Sequence, residues 1–561
     1  MSENIKIFAL GGLDEEGRDC YVVDINDDIF VLDCGMALPD KTIPGIDSLL
    51  PNFSYLIENK NRIKAYIITH GHDEVMGALK YFYNMAPAPI YCTKTTADYL
   101  VYEAKISKIK ADFEFEIVNA SDTKIIAHRK VRFFQTCHNM SYSFGVAIST
   151  DRGNIVYSSD YIIDYTVKDE QHTFDMKKLS EIAEDDTFLL LSESKCANLD
   201  GYCAPHHRVV PKIEHYFDDN KRIFFSCFWE NAFRINELFS LAKNHKKKVY
   251  YYDKYTKEMM DFLAGDSDAV DTQGVEIVAD ENLLRVAPED LVILMLGHDE
   301  KIYEDMLSLY NRDNPDRRII LNKDDIFIIG AIPTEIYEVT ATRCIDFLYR
   351  SGCQVVWLKR KNIPAMHARK DDIKYLLSLL RPKYYFPVRG SYTNLIENAK
   401  LAVDMGVGLN HMNVFIFDNG MQAVFDDRPR PTIISDLDSG INVTPILVDG
   451  AGISHFGSEV IEDRLKLGID GVAIICATVS KAEKKIIAGP DCQMRGFVYV
   501  KEAEPLLKSI TQIYLEEVNK ALLERNDLRE CENLIKERVK RYIKRENGRD
   551  PLIIVSIIEA D

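Results

Sequence analysis

Hydrophobic and polar positions alternate along the first 35 residues, a pattern typical of β-strands that bury one face. The segments are KIFAL (6–10), CYVVDI (20–25) and DIFVLD (28–33). Beyond them RIKAYIITH (62–70) predicts a buried strand, and EVMGALKYFYNM (74–85) predicts a helix. Further strands are predicted for VRFFQTCH (131–138), SFGVAIS (143–149), NIVYSSD (154–160) and TFLLLSES (187–194). The pattern indicates a mixed α/β domain over residues 1–205.

From residue 206 to 365 helical patterns alternate with short buried strands, which indicates a second α/β domain with a parallel sheet. The strand segments are RIFFSCF, KVYYYD, LVILMLG, RIILN (318–322) and IFIIG. Residues 383–406 then read as strand, turn and helix. A stretch rich in Pro, Asp and Ser predicts a linker at 429–442. The remainder, 443–561, predicts strands at GVAIICATV, FVYV (497–500) and PLIIVSII, with two amphipathic helices.

The length of the chain predicts about three domains. The chain has 561 residues, well beyond the roughly 250 to 300 at which single cores stop growing. No apolar run approaches the ~18 residues of a membrane span, and the first residues lack a secretory pattern. The twelve cysteines form no CxxC pair, which favours reduced thiols. We therefore expect a cytoplasmic protein without a membrane partner.

The net charge of −19 disfavours a general nucleic-acid binder, because affinity for phosphates comes from clustered Lys and Arg. Local basic clusters occur at 246–248, at 359–361 and on one face of the helix that carries Lys536, Lys540 and Lys544. Each cluster is compatible with a solvated surface or with a basic channel for RNA.

Polar residues that could bind a metal follow several apolar strands. Asp33, His138 and Asp160 each end a predicted strand, and His70 and His72 follow another. Each residue alone could instead be a turn or cap residue. Together they offer the imidazoles and carboxylates with which metallo-hydrolases activate water, in two-metal sites with the ions about 3.5 to 4 Å apart.

At this point the sequence resembles ribonuclease J, of the metallo-β-lactamase and β-CASP group, over essentially the whole chain. The stretches that carry the resemblance are ALGGLDEEGR, VLDCGMALPD, LPNFSYLIENKNRIKAYIITHGH, NIVYSSDYIID, LLLSESKCA and IIAGPDCQMRGFVYV. The resemblance implies an α/β fold, a metallo-β-lactamase αββα sandwich interrupted by a β-CASP α/β domain, with a small α+β C-terminal domain. The implied boundaries are 1–205 and 366–428 for the two parts of the sandwich, 206–365 for the β-CASP domain, 429–442 for the linker and 443–561 for the C-terminal dimerisation domain.

The resemblance also implies roles for matching residues. It implies that His70, His72 and His138 bind the first metal and that Asp160 bridges two metals. Asp33 corresponds to an Asp that supports the ligand loop. Glu193 stands where the family usually has Asp, and His367 corresponds to the β-CASP histidine near the scissile phosphate.

Three departures affect the second metal. In THGHDEVMG (69–77), Glu74 replaces an Asp that binds this metal, and Val75 replaces a histidine ligand. In YYFPVRGSY, Arg389 replaces the last histidine ligand, and arginine stays protonated. Our hypothesis is that the Arg389 guanidinium occupies the second cation's space and pairs with Asp160 or Glu74. The alternative is that Arg389 points to solvent.

The expected RNA contacts are less specific. In PAMHARKDD, Ala368 and Arg369 replace small residues after His367, which puts the usual 5′-monophosphate recognition in doubt. Substrate contacts are expected from Arg389, Arg369, Asn231 and Arg234. His206 and His207 lie outside the matched motifs, and we expect them on the surface.

The pattern of loss resembles that of the second, catalytically degenerate ribonuclease J paralogue of bacteria that carry two. We therefore expect a protein of RNA processing, with mRNA decay and rRNA maturation as its setting. It would have weak or no nuclease activity and act mainly as the partner subunit of an active paralogue. The alternative is a one-metal 5′→3′ exoribonuclease and endoribonuclease with Glu74 as general base. Expected partners are RNA and a second ribonuclease J chain, as a homodimer or hetero-oligomer, with at most one Zn²⁺ or Mn²⁺ bound.

Overall fold

The structure is a computed structural model that describes residues 2–39, 43–450, 452–454, 458–496, 503–524 and 527–560. Its internal contacts divide the chain into two units. The first unit holds residues 1–38 and 48–453, and the second holds residues 39–47 and 454–561.

Helices and strands are numbered along the chain. Before the insert, the strands of the first unit are β1 (Ile5–Gly11), β2 (Cys20–Ile25), β3 (Asp28–Leu32), β4 (Ser48–Leu50), β5 (Ile63–Ile67), β6 (Ile90–Cys92), β7 (Phe115–Ile117), β8 (Thr123–Ile126), β9 (Arg129–Gln135), β10 (Phe144–Thr150), β11 (Gly153–Tyr157) and β12 (Thr187–Glu193). The helices of this part are α1 (Ser54–Glu58), α2 (Asp73–Met76), α3 (Leu79–Phe82), α4 (Lys94–Ile106) and α5 (Met176–Ala183).

The insert contains α6 (Val210–Ile213), β13 (Ile223–Phe228), α7 (Ala232–Asn244), β14 (Lys248–Tyr251), α8 (Lys254–Asp261), β15 (Leu291–Gly297), α9 (Lys301–Asn311), β16 (Ile326–Ile329), α10 (Glu338–Arg350) and β17 (Gln354–Trp357). The rest of the first unit is α11 (Lys370–Leu380), β18 (Tyr384–Val388), α12 (Tyr392–Asp404), β19 (Gln422–Phe425), β20 (Thr432–Ile434), α13 (Asp436–Ser439) and β21 (Ile446–Asp449).

Two facing sheets form the αββα sandwich of the first unit. One sheet has the order β20-β19-β1-β2-β3-β5-β6-β7, and the other has the order β18-β12-β11-β10-β9-β8. Side chains such as Phe30, Val146, Leu189 and Phe386 fill the space between them. Helices cover the outer faces because each sheet carries apolar residues on both sides. The predicted fold class is confirmed.

The insert leaves and rejoins the sandwich at neighbouring strands. β12 and β18 pair in parallel, with Leu189 opposite Tyr384 and Glu193 opposite Val388. Nearly 200 residues separate these partners along the chain, and they contain the five-stranded sheet β14-β15-β13-β16-β17. All four pairings within that sheet are parallel, which confirms the predicted parallel α/β insert.

Several element predictions were wrong in detail. RIILN forms no strand: Ile319 is buried but Ile320 is exposed, and the strand begins later, at Ile326. The helix predicted for 74–85 is divided into α2 and α3 around Gly77. The predicted linker contains β20, which pairs with β19 and extends the sheet. The predicted strand FVYV (497–500) lies outside the described residues. The domain boundaries stay predictions.

The second unit is a three-stranded sheet covered by helices on one face. Its elements are β22 (Gly452–Ser454), whose first two residues belong to the first unit, α14 (Ser458–Ile469), β23 (Val472–Ser480), β24 (Lys485–Arg495), α15 (Ala503–Glu524), α16 (Leu528–Asn547) and β25 (Leu552–Glu559). The sheet order is β24-β23-β25. Alternate residues of β23 pack with Ile510, Tyr514, Ile535 and Val539 of the helices. No helix in the described part of the chain is long and apolar enough to cross a membrane.

Candidate metal centre and active site

The candidate site lies at the carboxyl ends of parallel strands in the sandwich. Asp33 follows β3 and the His70–His72 pair follows β5, and β3 and β5 are parallel neighbours. On the other sheet Asp160, Glu193 and Arg389 stand at the ends of β11, β12 and β18, which are parallel neighbours in that order. The sheets therefore bring together side chains that are more than 300 residues apart in the sequence.

Four donor atoms form a compact group in this cleft. His70 Nε2 lies 3.2 Å from His72 Nδ1, which lies 3.4 Å from His138 Nε2. Asp160 Oδ2 lies 3.4 Å from His70 Nε2 and 3.6 Å from His138 Nε2. A tetrahedral ion with bonds of about 2.0 to 2.1 Å needs donor separations of about 3.3 to 3.4 Å. The residues present fit one divalent ion.

Neighbouring groups orient these side chains so that their donor atoms can bind a metal ion. His138 Nδ1–H donates to the Met366 carbonyl at 2.9 Å, which leaves Nε2 free to bind a cation. Thr69 Oγ1 lies 3.1 Å from His70 Nδ1 and also donates to Asp33. Both Asp160 oxygens are buried, and neither has a well-aligned hydrogen-bond partner among the described residues. A buried carboxylate in that condition is suited to cations.

The candidate ligands have the protonation states that metal binding requires, with neutral imidazoles and an ionised carboxylate. Burial lowers the pKa of His72 to about 3 and holds the pKa of His138 well below its usual value, so both imidazoles are neutral. Burial acts to raise the pKa of Asp160, but Arg389, His367 and Lys195 outweigh it and hold that pKa well below normal. Asp160 is therefore ionised.

Arg389 is fully buried beside the donor group and does not point to solvent. Its Nη2 lies 3.0 Å from Asp160 Oδ2 and 2.8 Å from Asp19 Oδ2, and its Nη1 lies 3.8 Å from Asp33 Oδ2. The pairing with Asp160 is one of the two that our hypothesis named, the other being with Glu74. A guanidinium without exposed surface is not placed to meet substrate from solvent, so the expectation of a direct substrate contact by Arg389 is not supported.

Asp19 is a site residue that the sequence did not single out. Its Oδ1 accepts from Tyr21, and its Oδ2 faces Arg389. Burial raises the pKa of Asp19 to about 7, although Arg389 acts in the opposite direction. Asp19 directly follows the quoted stretch ALGGLDEEGR, but nothing in its neighbourhood marked it as the partner of a residue 370 positions later.

Glu74 and Val75 occupy different environments. Val75 is fully buried in the apolar cluster with Leu79 and Met36. Glu74 is partly exposed, and its Oε1 accepts from the Lys195 ammonium at 3.2 Å. A side chain on Gly35 would collide with the Glu74 carbonyl at 1.6 Å, so glycine is needed for this close backbone approach. Lys195 is the second site residue that the sequence analysis missed.

The lysine weakens Glu74 as a base. Burial acts to raise the pKa of Glu74, but Lys195, His72 and Arg389 outweigh it and hold the pKa well below normal. A general base works best when its pKa lies near the working pH. The environment therefore disfavours Glu74 in the role that the one-metal alternative gave it.

Glu193 positions His367. Glu193 Oε1 accepts from the backbone N–H groups of Tyr161 and Ala368, both at 2.9 Å, and its Oε2 accepts from His367 Nδ1 at 2.9 Å. Burial acts to lower the pKa of His367, but Asp160 and Glu193 outweigh it and raise that pKa to about 9. His367 is thus an imidazolium whose ring is fixed by a buried carboxylate.

Comparisons with known proteins agree with this geometry. The metallo-beta-lactamase superfamily model matches residues 13–169, and the ribonuclease J C-terminal domain model matches residues 459–560. The chain is 28% identical over 560 residues to ribonuclease J2 of Bacillus subtilis, covering 100% of this chain and 99% of that protein. It is 27% identical to ribonuclease J 2 of Staphylococcus aureus, with 100% and 99% covered, and 29% identical to ribonuclease J 2 of Streptococcus pyogenes, with 99% of each chain covered. The chain thus resembles the ribonuclease J proteins over its whole length.

Within this ribonuclease J fold, two expected RNA contacts have structural partners instead. Asn231 Oδ1 accepts from the Arg234 backbone N–H at 3.0 Å and so caps the N-terminus of α7. The Arg234 side chain is buried and donates to the Gly330 carbonyl at 2.6 Å. Arg369 is the N-cap residue of α11: its backbone N–H donates to Asp372 at 3.0 Å, and its side chain is half-buried.

The prediction of two surface histidines was wrong for one of them. His206 is exposed, but His207 is buried next to Phe233 and lies 3.5 Å from Asp164 Oδ2. Burial lowers the pKa of His207 to about 4, so it is a neutral core side chain.

Proposed function

We propose that this chain is an RNA-processing protein that acts mainly as a partner subunit of an active ribonuclease J paralogue, with weak or no nuclease activity of its own. The observation that carries the proposal is the Arg389 guanidinium, buried 3.0 Å from Asp160 and 2.8 Å from Asp19. A fixed organic cation beside the carboxylate that should bridge two metals supplies positive charge where a second ion would otherwise do so. Val75, buried in the core, offers no ligand there.

The cofactor of this proposal is at most one Zn²⁺ or Mn²⁺, held by His70, His72, His138 and Asp160, which are the four residues that converge in the cleft. When bound, such an ion polarises a phosphoryl oxygen or lowers the pKa of a water molecule. Four protein donors at tetrahedral separations fill the usual coordination of zinc, whereas catalytic sites keep one position open. This donor set supports low activity.

The second unit supports the partner role. In β23, Ala473, Ile475 and Val479 pack on the helices, whereas Ile474 on the opposite face is exposed. Ile554 and Ile558 of the adjacent β25 are exposed on that same face. Contiguous apolar surface of this kind marks interaction sites. We propose that residues 443–561 mediate dimerisation with a second ribonuclease J chain, within the cytoplasm, during mRNA decay and rRNA maturation.

The alternative is a slow one-metal 5′→3′ exoribonuclease and endoribonuclease, favoured by the intact group of four donors. It needs a base other than Glu74 because Lys195 lowers the basicity of that carboxylate. His367, fixed by Glu193, is protonated at neutral pH and so is suited to binding phosphate or to donating a proton rather than to accepting one.

The deciding experiment is decay of a 5′-monophosphorylated RNA by the purified chain with Mn²⁺ or Zn²⁺, beside His72→Ala. Equal and negligible rates support the subunit, and the same His72→Ala chain should still bind the paralogue with unchanged affinity. Decay by the wild type that disappears in His72→Ala supports the one-metal enzyme and rejects the primary proposal.

A further inference from the structure

The cleft has a buried floor and a narrow accessible rim. Asp160, Glu193 and Arg389 form the floor and have no exposed surface. The side chain of Lys195 on the rim is 15% exposed, and that of His367 is 14% exposed. A ligand that enters the cleft therefore meets the partly exposed side chains of this rim, Lys195 and His367 among them, before it reaches the floor.

The backbone around Lys195 is fixed, whereas its ammonium forms an ion pair with a single carboxylate among the described residues. Ser194 N–H donates to the Arg389 carbonyl at 3.1 Å, and Asn394 Nδ2 donates to the Lys195 carbonyl at 3.0 Å. The ammonium itself contacts Glu74 Oε1 at 3.2 Å, and the Glu74 side chain is 30% exposed. Because both side chains reach solvent, water and an entering ligand can compete for this ion pair.

We propose that Lys195 is a phosphate-binding residue: its ammonium exchanges the Glu74 carboxylate for a non-bridging oxygen of an RNA phosphate. Lysine is a common phosphate ligand because its three N–H donors form charge-assisted hydrogen bonds without fixed geometry. In the unliganded cleft Glu74 holds this position. The carboxylate thus competes with the substrate, and its removal should strengthen binding. The inference rests on the proposed function, since it assumes that the cleft takes RNA.

The test measures the affinity of a 5′-phosphorylated, single-stranded oligoribonucleotide by fluorescence anisotropy, with EDTA present so that no cleavage occurs. Lys195→Met should weaken binding about tenfold, the loss of one charge-assisted hydrogen bond. Lys195→Arg should retain most of the affinity. Lys400→Met is the matched control, because it removes an exposed lysine paired with Glu397 at 2.9 Å outside the cleft, and it should leave the affinity unchanged.

The substitution of Glu74 separates a binding role from a structural one. Glu74→Gln should tighten binding about fivefold, because the amide leaves the ammonium free for phosphate. In the Lys195→Met background the same substitution should change affinity less than about twofold. A damaged fold cannot produce tighter binding, so the opposite signs of the two single variants exclude misfolding as the cause.

The outcomes are distinguishable. Equal affinity of the wild type, Lys195→Met and Glu74→Gln overturns the Lys195 inference and leaves the proposed function standing. Tightening by Glu74→Gln that persists in the Lys195→Met background also overturns it, since the effect is then repulsion of RNA by the carboxylate alone. A wild type that binds no RNA overturns the proposed function and the inference with it.

Discussion

Replacing Arg389 by methionine should destabilise the sandwich strongly. The substitution keeps most of the side-chain volume but leaves Asp160, Asp19 and Asp33 buried around an uncharged group. Removing one partner from a buried ion pair costs about 3–5 kcal/mol, because the charge left behind stays desolvated. Three carboxylates share this one guanidinium, so we expect the upper part of that range.

The measurement is the free energy of local opening at the β12–β18 junction, obtained from amide hydrogen exchange in metal-free buffer. Local exchange is preferable to a single melting temperature because a chain with two units need not unfold in one step. Arg428→Met is the control, since Arg428 is 57% exposed and pairs only with its near neighbour Asp426, and it should change stability by less than about 0.5 kcal/mol.

Asp19→Asn should rescue part of the loss, because it removes one of the unpaired carboxylates. We expect a coupling of about 1–3 kcal/mol between the two substitutions. The reasoning is refuted if Arg389→Met alters protection at β12 and β18 no more than Arg428→Met does. It is also refuted if the effects of Arg389→Met and Asp19→Asn simply add.

The site leads to three further predictions. Mass spectrometry should find at most one metal ion per wild-type chain and none in His72→Ala. It should find no second ion in Arg389→His, because Val75 still supplies no ligand; two ions in that variant would contradict the proposal that the Arg389 guanidinium takes the place of the second metal. Asn231→Ala should cost about 1 kcal/mol as the loss of the α7 cap while RNA affinity stays constant, and a fall in affinity without a loss of stability would restore Asn231 as a substrate contact. Asp19 has a folded-state pKa of about 7, raised from 3.8, so its contribution to stability is complete below about pH 4 and is lost as pH rises through 7. The expected change in the free energy of unfolding is on the order of 4 kcal/mol. Chemical denaturation across this range should show that the free energy of unfolding depends less on pH in Asp19→Asn than in the wild type.

Much of the fold could be predicted from periodicity. The strands with clear alternation or long apolar runs, such as β2, β12 and β15, occur where the pattern places them. The errors lie where short apolar runs have no second signal. RIILN contains three consecutive large apolar residues, but one of them, Ile320, is 47% exposed and forms no ladder. Strand β24 went unpredicted because Gly489, Pro490 and Asp491 interrupt its alternation, although Ile486, Cys492 and Met494 pack half-buried against the core of the second unit.

Some residues of the site could likewise be predicted from the sequence, and others could not. Strand-end position and residue chemistry were enough to name His70, His72, His138 and Asp160, and the structure brings their donor atoms together. Of the two cationic residues of the site, the sequence analysis identified Arg389 but not Lys195. Arg389 was noticed because it replaces a histidine of a known motif. Lys195 and the carboxylate Asp19 were missed because neither replaces a residue that such a motif specifies.

What the sequence determined by itself is local: the type of each side chain, its position at the end of a strand, and the alternation that makes that strand. These are fixed by neighbours within a few residues, because strand periodicity and turn chemistry act over that distance. The tertiary structure alone decided which charges meet. Arg389 reaches Asp160 because β18 and β11 flank β12, and Glu74 meets Lys195 across 121 residues of sequence. Burial then sets the strength of these contacts, since the same ion pair that is weak in water becomes a strong constraint when packing excludes solvent from it.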